Sequence, residues 1–417
     1  MATAQDIVAR IKQQLVSRHD LNQRTLAERA GLSVTQMNRV MTHSRRITAT
    51  ELAMIADALD VPTSDLLGEP AAALSVAARV GGAERVAELE GPFSRAERLL
   101  AVRELLDRVA TRPDTAATPD VTLPSKSGLE KERGRLAALA LRSALGLDPG
   151  DAVDDLHEIA GRFGLDVSTQ PLPAGLHGLL VAGARPATPY GDTGAPAVAL
   201  LNAADSLGRR RFTLAHELCH LLFGDAQAQL AIADYKGNAT NRDSRWTTEN
   251  LVELRADNFA GTLLAPNDGV RALAEEHGPR PPRAADGTLT VELARWCAAL
   301  VARIAASYAM SYESACYRAN DAGALNDDER TAAMQKGATR GFAEAGFADV
   351  GAELTAAADG VEPPATLLAQ ALAAYQAEEL GLKPLATLYD LTEPAEFEEL
   401  RAQLTAAGWS PGASSIF

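Results

Sequence analysis

Apolar residues recur at helical spacing through the first seventy positions of the chain. Two short motifs in this region place a capping side chain three residues before a glutamine or glutamate, Ser33 before Gln36 and Thr48 before Glu51, as at the starts of helices. The pattern therefore predicts a compact N-terminal domain of five short helices. Its core positions are Leu26, Ala30, Met37, Val40, Leu52, Ile55, Leu59 and Leu66.

The remainder of the chain alternates between longer helical patterns and short apolar runs. Strands are predicted at Leu165–Ser168, Gly178–Val181 and Ala197–Leu201, and the polar segment Ala233–Arg245 is predicted to be a loop. The expected fold class is mainly α with a small β-sheet. Residues 70–111 are predicted to be helical, with a helix start at Ser94 in the pattern Ser-Arg-Ala-Glu. Further helices are predicted at about 129–146, 151–163, Phe212–Phe223, Thr248–Leu264 and in the tail from about 327.

Composition shifts divide the chain. The stretch Thr111–Ser127 is rich in Pro, Thr, Asp and Ala and is predicted to be a linker. We therefore expect a helical domain at 1–70, a helical connector and linker at 71–127, a central domain at 128–326 and an acidic helical region at 327–417.

The formal charge of −15 is distributed unevenly. Residues 1–50 carry eight basic and three acidic side chains, whereas residues 327–417 carry five basic and fifteen acidic ones. The basic N-terminal segment is consistent with binding to nucleic acid, although the same charge pattern also fits a solvated surface. Three scattered cysteines, no membrane-length apolar run and no apolar signal core predict a cytoplasmic protein without membrane association.

Residues 25–40 have the pattern of two helices joined by a sharp turn. Gly31 stands where such a turn needs a positive φ, and Ser33 begins the second helix. That helix would expose side chains near its N-terminus, where major-groove readers contact bases: Val34, Thr35, Asn38 and Arg39. A small helical domain used only for protein contacts would share this pattern.

The segment from Leu21 to Val40, with the tail from Ile55 to Leu67, resembles the XRE (lambda-repressor-like) family. The resemblance implies that Gln23 contacts a phosphate and that Thr35, Asn38 and Arg39 read bases of double-stranded DNA. Arg45 is expected to add sequence-independent affinity. Because the recognition face carries few charges, we expect a homodimer on repeated half-sites.

The motif His216-Glu217-Leu218-Cys219-His220 lies on a predicted helix. Its i, i+4 spacing puts both imidazoles on one face, as two ligands of a tetrahedral zinc ion require, and Glu217 is the expected catalytic base. Glu253, on the next helix, is the predicted third ligand, and Asp257 is predicted to hold a ligand histidine. As an alternative to metal ligation, His216 and His220 could be core histidines with hydrogen-bond partners. Glu253 and Asp257 could belong to an exposed helix face that forms salt bridges.

The segments 211–223, 253–260 and 263–266 together resemble the ImmA/IrrE metallopeptidase family. The resemblance implies a zinc endopeptidase that cleaves a helix-turn-helix repressor to control transcription. It covers about residues 130–326. The alternative is an XRE-type transcriptional regulator whose peptidase-like domain senses a ligand or signal without proteolysis.

Overall fold

The computed structural model describes most of the chain. The described residues are 4–17, 22–30, 32–42, 47, 49–59, 66, 75–76, 83–109, 117–125, 129–183, 196–225, 230–235 and 248–409. They divide into two compact units, Met1–Ser75 and Val76–Phe417. Within these ranges no helix is long and apolar enough to cross a membrane.

The first unit is a cluster of short helices around its own core. The buried side chains include Leu26, Met37, Val40 and Ile55, in agreement with the predicted core positions. Ser33 caps the third helix in a complete capping box with Gln36, whereas Thr48 lies outside the described residues. Residues 60–65 also lie outside them, and the expected fifth helix stays a prediction. The helices are α1 (Ala4–Ser17), α2 (Gln23–Arg29), α3 (Val34–Met41) and α4 (Ala49–Ala58).

The second unit contains a small mixed sheet and most of the helices. Its strands are β2 (Leu165–Gln170), β3 (Leu176–Ala182), β4 (Ala197–Asn202) and β5 (Leu230–Tyr235), and the two-residue strand β1 (Ser75–Val76) lies at the boundary between the units. The helices that surround the site are α5 (Ala83–Val109), α6 (Glu130–Ala144), α7 (Leu156–Arg162), α8 (Leu207–Phe223), α9 (Thr248–Leu264) and α10 (Asn267–Glu276).

Eight further helices lie in the described part of this unit, and the expected class of a mainly helical protein with a small sheet is confirmed. They are α11 (Val291–Tyr308), α12 (Tyr312–Asp321), α13 (Asp327–Lys336), α14 (Ala338–Glu344), α15 (Ala348–Thr355), α16 (Ala365–Gln376), α17 (Leu382–Leu388) and α18 (Pro394–Ala406).

The four longer strands are ordered β5-β3-β4-β2. β3 runs antiparallel to both β4 and β5, whereas β2 runs parallel to β4. The segment Ala233–Arg245 was predicted to be a loop, but Ala233, Asp234 and Tyr235 belong to β5 and pair with β3. Cross-strand pairing prevails over the polar character of this segment, and residues 236–247 lie outside the described ranges.

The sheet is covered on both faces, because every residue of β2 and β4 is buried. The core that contains Val167 and Leu180 also contains Leu214 and Leu218 of α8. On the opposite face, Arg103 of α5 donates from Nε to Oδ2 of Asp166 at 2.8 Å. The sheet therefore lies between the apolar side of α8 and a polar layer supplied by α5.

Helix α5 was expected to connect two domains and to begin near Ser94. It begins instead at Ala83, continues through Pro92 and packs against β3, β4, α16 and α17. Residues 117–125 of the predicted linker also contact the main core, through Val121 and Leu123. The connector and the C-terminal region thus belong to the same compact unit as the central domain.

Candidate metal centre

Helix α8 is fixed at both ends. Ser206 caps its start by accepting a hydrogen bond from the Arg209 amide, and Gly224 ends it in the left-handed region at a φ of 68°. His177 of β3 approaches the turn before the helix, with Nδ1 2.8 Å from Oδ2 of Asp205. The residues from Thr213 to His220 are all buried, so the H-E-x-x-H segment lies against the interior of the unit.

Helix α9 brings a carboxylate to the two histidines of α8. Nε2 of His216 lies 3.1 Å from Oε2 of Glu253, and Nε2 of His220 lies 3.4 Å from Oε1 of the same side chain. The two Nε2 atoms are 3.0 Å apart. His216, His220 and Glu253 each offer one ligand atom, and these atoms all lie within 4.8 Å of one another.

Each histidine is oriented by a carboxylate on its outer nitrogen. Nδ1 of His216 is 3.0 Å from Oδ1 of Asp257, the contact expected from the sequence. Nδ1 of His220 is 3.0 Å from Oδ2 of Asp225, a contact that was not predicted from the sequence. Since a carboxylate can only accept here, each Nδ1 donates, and a neutral imidazole then presents the lone pair of Nε2 inward.

The donor set fits a metal ion. Burial lowers the pKa of His220 to about 4, against the opposing effect of Asp225, so its imidazole is neutral near pH 7. Two inward lone pairs and one carboxylate therefore converge on the same point. A metal ion among these atoms would satisfy all three, and two nitrogens with one oxygen are a common donor set for a transition metal.

A buried ion-pair network supports the outer carboxylate of His220. Asp225 also accepts hydrogen bonds from Nη2 of Arg255, and Nη1 of Arg255 donates to Oε2 of Glu130 at 2.7 Å. Burial raises the pKa of Asp225, but the bonds from His220 and Arg255 outweigh that effect and hold it below its usual value. The network joins α6, α9 and the residue after α8's C-cap.

Glu217 is fully buried at the contact between α8 and β3. A Cβ atom placed on Gly178 would lie 2.7 Å from Oε1 of Glu217 and 2.6 Å from Cγ2 of Thr213. The absence of a side chain at Gly178 is what lets α8 approach β3 this closely. Cys219, which was not expected to be a ligand, is buried, and burial raises the pKa of its thiol.

The expected DNA-contacting residues lie on the first unit. Val34, Thr35, Asn38 and Arg39 of α3 are exposed. Nε2 of Gln23 donates to Oδ1 of Asn38 at 2.8 Å, so the start of α2 is tied to the exposed face of α3. Arg45 lies outside the described residues.

The helix pair that carries His216, His220 and Glu253, supported by a small mixed sheet, defines a metallopeptidase-like domain. Residues 161–320 match the Peptidase_M78 family model, described as an IrrE N-terminal-like domain. Residues 13–70 match the HTH_26 model, described as a Cro/C1-type HTH DNA-binding domain. The chain therefore combines these two kinds of domain, which confirms the fusion expected from the sequence. A comparison with curated proteins finds no match.

Proposed function

We propose that this chain is a DNA-binding regulatory zinc metallopeptidase that cleaves a repressor or another regulator protein to control transcription. The observation that carries the proposal is the convergence of ligand atoms from His216, His220 and Glu253 beside the buried Glu217. The match of residues 13–70 to a Cro/C1-type HTH DNA-binding domain supports the DNA-binding part of the proposal.

Zinc is the proposed ion because two imidazoles and one carboxylate are a frequent catalytic zinc set. The ion would be held by Nε2 of His216, Nε2 of His220 and the carboxylate of Glu253. When bound, it supplies Lewis-acid polarisation of a peptide carbonyl and acidifies a water molecule. Asp257 and Asp225 keep each imidazole in the tautomer and orientation that ligation needs.

Glu217 is the proposed general base and acid. It follows His216 directly on α8 and is fully buried, so its carboxylate is shielded from bulk water. It would accept the proton of the attacking water and return that proton to the leaving amine. Gly178 leaves room for this carboxylate, because a Cβ atom at that position would lie 2.7 Å from Oε1 of Glu217.

The proposed DNA partner is a duplex bound through α3. The exposed face of Val34, Thr35, Asn38 and Arg39 would enter the major groove, and Gln23 and Arg45 would contact the backbone. A homodimer would place two such helices on repeated half-sites. The proposed protein substrate is a helix-turn-helix repressor.

The experiment separates metal binding from proteolysis. The full chain and its Glu217→Gln and Glu253→Ala variants are analysed for zinc by mass spectrometry and incubated with a proteome-derived peptide library. New N-termini are then sequenced. We expect the wild type to bind one zinc ion and cleave, Glu217→Gln to bind zinc without cleaving, and Glu253→Ala to lose tight zinc binding.

The exposed Glu353, on α15, provides a matched control, and Glu353→Gln should retain both zinc and cleavage. Tight zinc in Glu253→Ala would contradict the proposed ligand set. Stoichiometric zinc in a wild type that cleaves neither the library nor a purified repressor would contradict the peptidase. It would favour a regulator that uses its peptidase-like domain as a sensor.

A further inference from the structure

A separate cleft lies between the C-terminal half of α6, the end of α9 and the start of α10. Its volume is about 390 Å³, within the range of small-molecule sites. None of its lining residues belongs to the candidate metal centre. Its charged lining consists of three arginines and one aspartate: Arg135, Arg142, Arg271 and Asp268.

Arg142 is the unusual member of this lining because it is only 2% exposed. Nη1 donates to the Leu263 carbonyl at 2.8 Å, and Nη2 donates to the carbonyls of Asp148 and Asp151. In the ranges that the structure describes, no carboxylate forms an ion pair with it. The Asp151 carboxylate instead accepts a bond from the Asp148 amide at 2.7 Å.

The buried Arg142 guanidinium is held by three backbone carbonyls, and the Asp151 carboxylate favours its charged form without forming an ion pair with it. Burial lowers the pKa of Arg142, but a guanidinium remains protonated at any physiological pH. Because burying an unpaired charge is costly, an anion in the cleft would gain a strong interaction at low local dielectric.

The other two arginines lie at the solvent side of the cleft. The Arg271 side chain is 52% exposed and pairs with Asp268 at 2.6 Å, and Arg135 pairs with Glu132. Exposed pairs of this kind contribute little, so an incoming anion can compete for both guanidinium groups. Apolar surface from Leu139 and Leu147 completes the lining.

We propose that this cleft binds a small molecule with an oxyanion, either a phosphate ester or a carboxylate, joined to a short hydrocarbon part. The oxyanion lies near Arg142 and Arg271, and the hydrocarbon part packs on Leu139 and Leu147. The start of α10 reinforces the site, because Pro266 at its N-cap provides no side-chain cap and the first backbone amides of the helix lack intrahelical acceptors.

The test is calorimetric titration of the full chain at physiological ionic strength with phenyl phosphate, phenylacetate and benzyl alcohol. We expect saturable binding of one stoichiometric equivalent of at least one anion and none of the alcohol. Whichever anion binds more tightly identifies the oxyanion class.

Two substitutions at exposed positions should move the affinity in opposite directions. Arg271→Gln should weaken anion binding about ten-fold, as expected for one charge-assisted hydrogen bond. Asp268→Asn should strengthen it, because the substitution removes the one acidic group of the lining and frees Arg271. The control is Arg303→Gln, which breaks a comparable 2.6 Å pair with Glu276 outside the cleft and should leave the affinity unchanged.

Three results would overturn the proposal. The first is no saturable binding of either anion at millimolar concentration. The second is equal binding of benzyl alcohol. The third is anion binding that neither Arg271→Gln nor Asp268→Asn changes while thermal unfolding confirms that both variants fold.

Discussion

The carboxylate of Glu217 lies where any side chain at position 178 would have to go. The contact distance of 2.7 Å from a hypothetical Cβ to Oε1 is well below the ordinary van der Waals range. Gly178 pairs with Leu201 in the β3–β4 ladder, and the pairing of β3 with β5 has a register shift between Leu176 and Gly178. The lack of a side chain at Gly178 leaves the space that the Glu217 carboxylate occupies.

Replacing Gly178 with alanine should therefore displace Glu217 without removing a metal ligand. We expect Gly178→Ala to retain zinc but to lose most peptide cleavage, because proton transfer depends on the position of the carboxylate. Cleavage rate and zinc content measured on the same preparation check this. Gly381→Ala, at a site with open space, is the control and should behave as wild type. Full peptidase activity of Gly178→Ala would show that the position of the Glu217 carboxylate does not depend on this glycine.

Asp225 holds His220 as Asp257 holds His216. We expect Asp225→Asn to weaken zinc affinity or cleavage about 10–100-fold, the usual effect of losing the partner of a ligand histidine. Zinc competition with a chelator measures the affinity. Asp390→Asn is the control, since Asp390 lies 3.4 Å from the buried Arg95 but contacts no histidine. If both variants bind zinc equally, the proposed role of Asp225 is wrong.

Residue spacing predicted part of this geometry. The i, i+4 pairs His216/His220 and Glu253/Asp257 each share a helical face, so their convergence needs only two adjacent helices. Asp225 has no such periodic signal, because it follows a chain reversal at Gly224. The pair Gly224-Asp225 directly after α8 could have indicated this contact, because a glycine C-cap turns the next side chain back towards the last turn of the helix.

At the scale of elements, helix boundaries with strong end signals were predicted best. Helix α9 spans the predicted Thr248–Leu264, with Ala265-Pro266 after it. Helix α8 begins five residues before the predicted Phe212, because Ser206 provides its cap. The start of α5 was predicted at Ser94 from the Ser-Arg-Ala-Glu pattern, but the helix begins at Ala83 and continues through Pro92. Packing of Leu89, Phe93 and Ala96 in the interior stabilises the continuous helix.

Helix α3 is the element on which the DNA prediction depends. We expect Arg39→Ala to weaken binding to the preferred operator by about 5–100-fold and to relax sequence preference, as for a lost base contact. Selection from a random duplex library followed by fluorescence anisotropy would measure both effects. Arg401→Ala, an exposed arginine of the second unit, removes the same charge and should change neither. Unchanged preference in Arg39→Ala would exclude Arg39 as a base reader.

At the scale of the whole molecule, residues 76–417 form one contact unit, although the sequence suggested three segments there. Long-range contacts explain the difference, and they leave no local pattern in the sequence. Nη1 of Arg103 donates to Oε1 of Gln370 at 2.6 Å, and Nη2 of Arg95 donates to the Leu388 carbonyl at 2.8 Å. Both arginines are buried, so each needs its partner from the C-terminal region.

Truncation after residue 326 should therefore unfold the second unit and should not leave a shorter folded domain. The loss would leave Arg95 and Arg103 without these acceptors and would expose the core beneath α16 and α17. Circular dichroism and thermal unfolding of the shortened chain measure the effect. A chain that lacks residues 1–75 is the comparison and should unfold cooperatively, because that cut follows the boundary between the units. A folded, zinc-binding 1–326 fragment would show that the C-terminal region is dispensable.

Glu362 of the acidic C-terminal region pairs through its backbone with β2 at the edge of the sheet. The Thr169 amide donates to the Glu362 carbonyl at 3.0 Å, and the Glu362 amide donates to the Thr169 carbonyl at 2.8 Å. β2 is the last strand on its side of the sheet, and an unpaired outer strand is a template on which foreign strands assemble. At Thr169 the acidic C-terminal region thus occupies backbone groups with which an edge strand could pair to another copy of the chain.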